Sequence, residues 1–113
     1  IGDNDTLGAE VAKSVNADLL ILLSDIDGLY TADPHKDENA ELISCVKELD
    51  DSIYALAGGK GSAFGTGGMI TKLNAAKICM DCGCDMIITN GSKTENIYDA
   101  IAGKSVGTRF TVK

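Results

Sequence analysis

Apolar positions along the chain recur at two spacings, and the spacing changes from segment to segment. In residues 6–16, "TLGAEVAKSVN", Leu7, Val11 and Val15 share one helical face. Asp5 or Thr6 can cap that helix. "ADLLILLSD" (17–25) is apolar on both faces at its centre, as in a strand buried between two layers. "DGLYTADP" (27–34) has turn chemistry at Asp27-Gly28 and a stop at Pro34. "HKDENAE" reads as a charged loop, and "ELISCVKEL" (41–49) alternates weakly, as a strand can. "DDSIYALAGG" (50–59) reads as a short helix closed by Gly58. A loop rich in glycine covers 59–68, and the helical spacing of Met69, Leu73, Ala76 and Met80 predicts a helix over 69–82. "CDMIITNGS" (84–92) is a second buried strand running into a turn. "TENIYDAIAG" (94–103) is a helix with Glu95 near its start and Gly103 past its end, and "VGTRFTV" (106–112) is a last short strand.

Helix and strand alternate, which predicts α/β layering. Open sheets of this kind bind ligands outside the carboxyl ends of their strands. The positions to weigh are therefore Ser24-Asp25, Asn90-Gly91-Ser92, the 65–72 loop and the "GDND" of residues 2–5 ahead of the first helix.

Composition narrows the choice. The 113 residues suit one domain or a piece of one, and a hydrophobic content of 44% excludes a disordered chain. Seventeen acidic against ten basic residues give a net charge of −7, which argues against general nucleic-acid binding but leaves room for a local phosphate site. The longest apolar run, "LLILL" (19–23), is far short of the roughly 20 residues that span a bilayer. No stretch reads as a signal peptide, so the expectation is a soluble, cytoplasmic protein with no membrane partner. The chain opens at Ile1 without Met, and reads as the middle or end of a longer polypeptide. Cys79 and Cys82 form a C-x-x-C, but no second pair of similar spacing completes a zinc site. Reduced thiols between a helix and a strand are the simpler reading, and no metal ligands are assigned.

Three constellations carry candidate chemistry. In "GTGGMITK" (65–72), the glycines at 65, 67 and 68 free backbone N–H groups to converge on an anion. Thr66 and Thr71 add hydroxyls, and Lys72 adds a mobile charge. A helix N-terminus already carries about half a positive elementary charge, so a lysine in the first turn suits a site where something negative binds. The spacing is neither a Walker A loop nor G-x-G-x-x-G. A surface loop with a solvated lysine fits the same local pattern. In "SDIDGLY" (24–30), Asp25 directly follows the buried strand and can hold a ribose or help place a metal, whereas Asp27 belongs to the Asp-Gly turn. In "GDND", Asp3, Asn4 and Asp5 exceed what one helix cap needs, and they suit an ammonium group or a lysine that must be held. His35 stands in a charged loop and has no assigned role.

"GDND", "LLSDIDGLYTADP" (22–34), "GTGGMITK", "NGS" (90–92) and "VGTRF" (106–110) occur together and in this order. The series resembles the amino acid kinase superfamily over essentially the whole chain, and within it the branch that acts on L-glutamate. The resemblance implies a three-layer αβα sandwich around a mainly parallel sheet, of the carbamate kinase-like type, of which residues 1–113 are the C-terminal, nucleotide-binding part of the kinase domain. An N-terminal half bringing another glycine loop and catalytic lysine, and in many bacterial members a C-terminal PUA extension, would lie outside it. The activity implied is transfer of the ATP γ-phosphoryl group to the side-chain carboxylate of L-glutamate, at the entry to proline synthesis. Mg2+ would ride on the ATP phosphates, proline would act as feedback inhibitor, and the full-length protein would form homo-oligomers.

By the same resemblance Asn4 and Asp5 contact glutamate, and Asp5 also orients catalytic lysines. Ser24 and Asp25 contact ATP, with Ser24 standing where Thr is expected. Thr66, Gly67, Gly68, Met69, Ile70, Thr71 and Lys72 line the ATP site, and Lys72 stabilises the transferring phosphoryl group. Alternatives are a superfamily member acting on carbamate, acetylglutamate, aspartate or UMP, and a non-catalytic nucleotide-binding module.

Overall fold

In the computed structural model the described residues are 4–58 and 68–113. They form α1 (Asp5–Ser14), β1 (Leu19–Ser24), β2 (Cys45–Val46), α2 (Asp51–Gly58), α3 (Gly68–Asp81), β3 (Asp85–Asn90), α4 (Thr94–Ile101) and β4 (Thr108–Phe110). The four strands make one mixed sheet in the order β1-β3-β4-β2. β1 and β3 run parallel, with Leu19 opposite Asp85 and Ser24 opposite Asn90, and β2 is parallel to β4. β3 and β4 are antiparallel, with Ile87 opposite Arg109.

β3 is the central strand, and its continuous apolar run follows from burial on both faces. Met86 and Ile88 join Phe110, Val46 and Leu22 in the main core, which α1, α2 and α3 cover through Ala9, Ala12, Ala57, Leu73 and Ala76. Ile87 points to the other face, where α4 packs against β3 and buries Ala100. This is the α/β layering that the alternation of periods predicts, with helices on both faces of a mixed sheet.

Helix α3 lies between α1 and α2 and is buried over much of its circumference, at Met69, Leu73, Ala75, Ala76, Cys79 and Met80. Its predicted apolar face, Met69, Leu73, Ala76 and Met80, is the observed one. In α1 the outcome differs. Leu7, Val11 and Val15 are 61%, 54% and 67% exposed, and the core takes Ala9 and Ala12 instead. α1 packs closely along α3, and alanines let two helix backbones approach where branched side chains would hold them apart. The N-cap is Asn4, one residue before the expected Asp5, and its side chain makes no capping hydrogen bond.

The weakly alternating segment 41–49 contributes only Cys45–Val46 as a strand, with a separate antiparallel bridge between Tyr30 and Leu42. α2 is capped by Asp50, whose carboxylate accepts the Ile53 N–H at 3.1 Å. Helix α3 ends in a Schellman motif: Gly83, at φ 80°, donates its N–H to Met80 O at 3.2 Å and Cys84 donates to Cys79 O at 2.8 Å. The same motif closes α1 with Asn16 at φ 56°. All four cysteines are free, with Cys79 and Cys84 buried. Burial, then the neighbouring Cys84 and Cys82, pushes the Cys79 thiol up to about 12, so it stays protonated and acts as a small hydrophobe. No described helix is long and apolar enough to cross a membrane.

Candidate active site

Each of α1 and α3 packs back on the strand that follows it, so its N-terminus returns toward that strand's carboxyl end. β1 and β3 are parallel neighbours, so both carboxyl ends and both helix N-termini share one margin of the sheet. That margin collects Asn4 and Asp5 from α1, Ser24 and Asp25 from β1, Gly68 to Lys72 from α3, and Asn90 from β3.

Its one long-range ion pair among the described residues joins the two helices: Lys72 Nζ lies 3.0 Å from Asp5 Oδ2. The side chains keep only 17% and 20% of their surface exposed. Lys72 is one turn into α3 rather than in its first turn, and its ammonium group extends to the first residue of α1. Asp5 there is favourable toward the α1 dipole and supplies the negative charge that lets a cation stand beside two positive helix ends. A lysine held in this way is a point charge aimed along a fixed direction, which is what binding a phosphoryl group between helix N-termini requires.

The rest of α3's first turn has little but its main chain to offer a ligand. Met69 is in the core, so only its backbone N–H can face a bound anion. Ile70 is half-buried and packs against the core. The Thr71 hydroxyl donates to Gly68 O at 2.8 Å, which leaves its lone pairs rather than its proton for other partners. Thr66 and Gly67, like Asp3 and Gly65, lie outside the described residues.

At the end of β1 the two aspartates have different settings. Asp27 accepts a hydrogen bond from Asn90 Nδ2 at 3.1 Å on one oxygen and from Tyr30 Oη at 3.0 Å on the other. The Tyr30 hydroxyl pKa is raised by partial burial, then by that hydrogen bond and the Asp27 charge. Asp25 is exposed, and among the described residues its carboxylate receives only a long 3.4 Å bond from Ser24 Oγ. The Ser24 hydroxyl also accepts the Ile26 N–H at 3.3 Å. Both carboxylates are exposed, but Asp27 is tied on both oxygens and acts as a brace, while Asp25 is the less engaged of the two. The brace continues through Asn90, whose Oδ1 accepts from Ser92 N and Ser92 Oγ, and through Gly91 N, which donates to Ser24 O at 2.9 Å. Sequence pattern marked the 90–92 turn as a place to examine without assigning Asn90 a partner.

Among the described residues no group of three or more His, Cys, Asp or Glu side chains converges on a cation site.

A mixed α/β sheet with two helix N-termini and a lysine–aspartate pair at one margin puts the chain among the layered α/β folds that take ligands at their strand ends. More particularly, the chain belongs to the amino acid kinase family, whose model matches residues 1–90. It is 54% identical over 112 residues to glutamate 5-kinase of Listeria innocua, covering 99% of this chain and 41% of that protein. Glutamate 5-kinases of Clostridium tetani and Lactiplantibacillus plantarum are 54% and 50% identical, over 97% and 96% of this chain and again 41% of the relative. The chain thus spans about two fifths of the length of the curated relatives it matches. Among solved structures, uridylate kinase from Archaeoglobus fulgidus superimposes with TM-score 0.71 at 29% identity, covering 98% of this chain and 48% of that one. Carbamate kinase from Giardia lamblia bound to AMP-PNP gives TM-score 0.70 at 28% identity, over 98% of this chain and 36% of that one.

Proposed function

We propose that this chain is the nucleotide-side, C-terminal part of a glutamate 5-kinase domain, and that the complete polypeptide transfers the γ-phosphoryl group of ATP to the side-chain carboxylate of L-glutamate. The carboxylate oxygen attacks Pγ, the bond from Pγ to the β,γ-bridging oxygen breaks, and ADP leaves. The acceptor is already ionised, so no proton needs to be removed. Such a transfer depends on alignment and charge neutralisation more than on covalent help.

The observation that carries this reading is the 3.0 Å Lys72–Asp5 pair at two adjacent helix N-termini. In it Lys72 neutralises charge on the transferring phosphoryl group, and Asp5 fixes the ammonium group. Asn4, whose side chain is not used for capping, joins Asp5 in holding glutamate. Ser24 and the exposed Asp25 contact the nucleotide, and residues 66–72 line its phosphates through backbone N–H groups. Mg2+ enters on those phosphates, consistent with its preference for a few oxygen ligands and retained water. Support for a nucleotide site comes from the AMP-PNP bound to the Giardia lamblia carbamate kinase, and support for glutamate from the relatives at 50–54% identity. A cytoplasmic setting, proline feedback and homo-oligomeric assembly belong to the same reading.

In the complete polypeptide, Lys72→Ala is expected to lower glutamate-dependent ADP release at least about a hundredfold, the scale for losing one charge-stabilising group, with circular dichroism unchanged. Turnover within a few-fold of the parent would refute the role. Running the parent against glutamate, acetylglutamate, aspartate, carbamate and UMP decides the acceptor, because uridylate and carbamate kinases share the fold.

A further inference from the structure

The "VGTRF" segment marks the family, yet none of its residues enters the site described above. Thr108, within it, is fully buried on β4, and its hydroxyl is used twice. It donates to Ile43 O at 2.6 Å and accepts the Leu29 N–H at 2.9 Å. Leu29 lies 79 residues earlier in the chain and closes the loop that leaves β1 with Asp25 and Asp27. Gly28, buried beside it, approaches Thr108 so closely that a Cβ there would lie 2.5 Å from Thr108 Oγ1 and 3.1 Å from Thr108 N. Glycine at 28 therefore serves this approach as well as the turn. Gly107, at φ 58°, is likewise pressed on the Ile88 carbonyl, so a side chain there would displace the main chain entering Thr108.

We infer that Thr108 is a positioning residue for the nucleotide: its hydroxyl clasps the 25–30 loop to the sheet and so sets where Asp25 stands. This rests on the nucleotide-side reading of Ser24 and Asp25. The remaining anchors do not replace it. Asn90 and Tyr30 hold Asp27 through its side chain, on the exposed side, and Leu29 O accepts from Ile43 N at 2.8 Å. The Leu29 N–H has Thr108 Oγ1 as its partner, and a buried N–H without one is costly. The Leu29 side chain is itself held in the core, so the relief falls on the backbone just before it: residues 25–28 shift to let water reach the Leu29 N–H, and Asp25 moves with them.

The test uses the complete polypeptide, with Mg-ATP binding followed by calorimetry and turnover by ADP release. Thr108→Val keeps the shape and removes the hydroxyl. It is expected to weaken Mg-ATP about tenfold, the scale of one hydrogen bond lost with its buried partner, and to leave the KM for the phosphoryl acceptor within about twofold. Thr108→Ser, which keeps the hydroxyl, is expected to bind Mg-ATP within about twofold of the parent. A purely structural Thr108 would lower the melting temperature of the valine variant and leave its Mg-ATP affinity unchanged, and that result overturns the inference. If Thr108→Val does not fold, Thr108→Ala removes the same hydroxyl without an added methyl. If neither folds while Thr108→Ser does, the role is structural and the inference is likewise overturned. A parent protein that does not bind Mg-ATP would refute the proposed function itself, a result separate from any of these.

Discussion

Asp85 is buried in β3, yet it keeps its charge. Burial alone would raise its pKa. Against that, Thr111 Oγ1 donates to Oδ1 at 2.7 Å, while Arg109 Nε and Nη2 donate to Oδ2 at 3.0 and 2.6 Å, and the net shift is downward. The sign of the linkage follows. A carboxylate with a depressed native pKa adds stability at any pH above its unfolded value of about 3.9, and that stability is lost as pH falls through the lower native value. Asp85→Asn removes this contribution and leaves Arg109 without its counter-charge. We expect a loss of about 2–3 kcal/mol at neutral pH in urea denaturation, below the ~3–5 kcal/mol of a fully buried pair because Arg109 is 37% exposed. The acid limb of the stability profile should flatten in the variant; an unchanged limb would mean that other carboxylates dominate it. Residue-level chemistry was legible where it follows from position along one element. Both Asp25 and Asp27 are exposed; Asp27 meets Tyr30 three residues on, as the turn signal indicates, but also Asn90, 63 residues away, which no turn signal reports. The bond from Leu29 to Thr108 was not legible, because no local pattern reports a partner 79 residues away.

Most elements could be read from their periods. β1, β3, α3 and α4 lie where alternation, helical spacing and terminal glycines put them, since burial and capping act within a few residues. Two things depended on neighbours instead. Strand direction is a property of the chain's path, so the antiparallel β3–β4 pairing inside an otherwise parallel sheet has no signature in "VGTRFTV". The face that α1 buries is chosen by close packing on α3, which selects Ala9 and Ala12 over the larger Leu7, Val11 and Val15. Helix endings were the sharper signal. Gly83 closes α3 at φ 80° with no heavy atom within 4 Å of where a Cβ would stand, so an alanine there meets backbone strain but no clash. Gly83→Ala is expected to cost about 1–2 kcal/mol, measured as a shift in the urea midpoint. A neutral result would mean that the α3–β3 turn relaxes to another conformation without loss.

Among the described residues one margin of the sheet collects the candidate site, and β1 forms one of its two edges. β1 is an edge strand of six residues, "LLILLS", with neither the Lys nor the Pro that commonly blunts such an edge. Leu23 on it is half exposed, and Leu7, Val11 and Val15 add apolar surface on α1. An unblunted edge pairs with whatever extended chain reaches it, and for the 113-residue chain alone at high concentration that is a second copy. Net charge −7 opposes association, but over a screening length of about 10 Å at moderate salt it does not outweigh direct strand pairing. The isolated chain is therefore expected to self-associate between about 10 µM and 1 mM in sedimentation velocity, with higher salt increasing it. Leu23→Lys puts a charge on the edge and should return the species to monomer without altering the helix signal in circular dichroism. If the parent chain stays monomeric across that range, β1 is not an open edge in solution. If Leu23→Lys associates as strongly as the parent, the contact runs through the exposed face of α1 instead, and Val11→Lys should then abolish it.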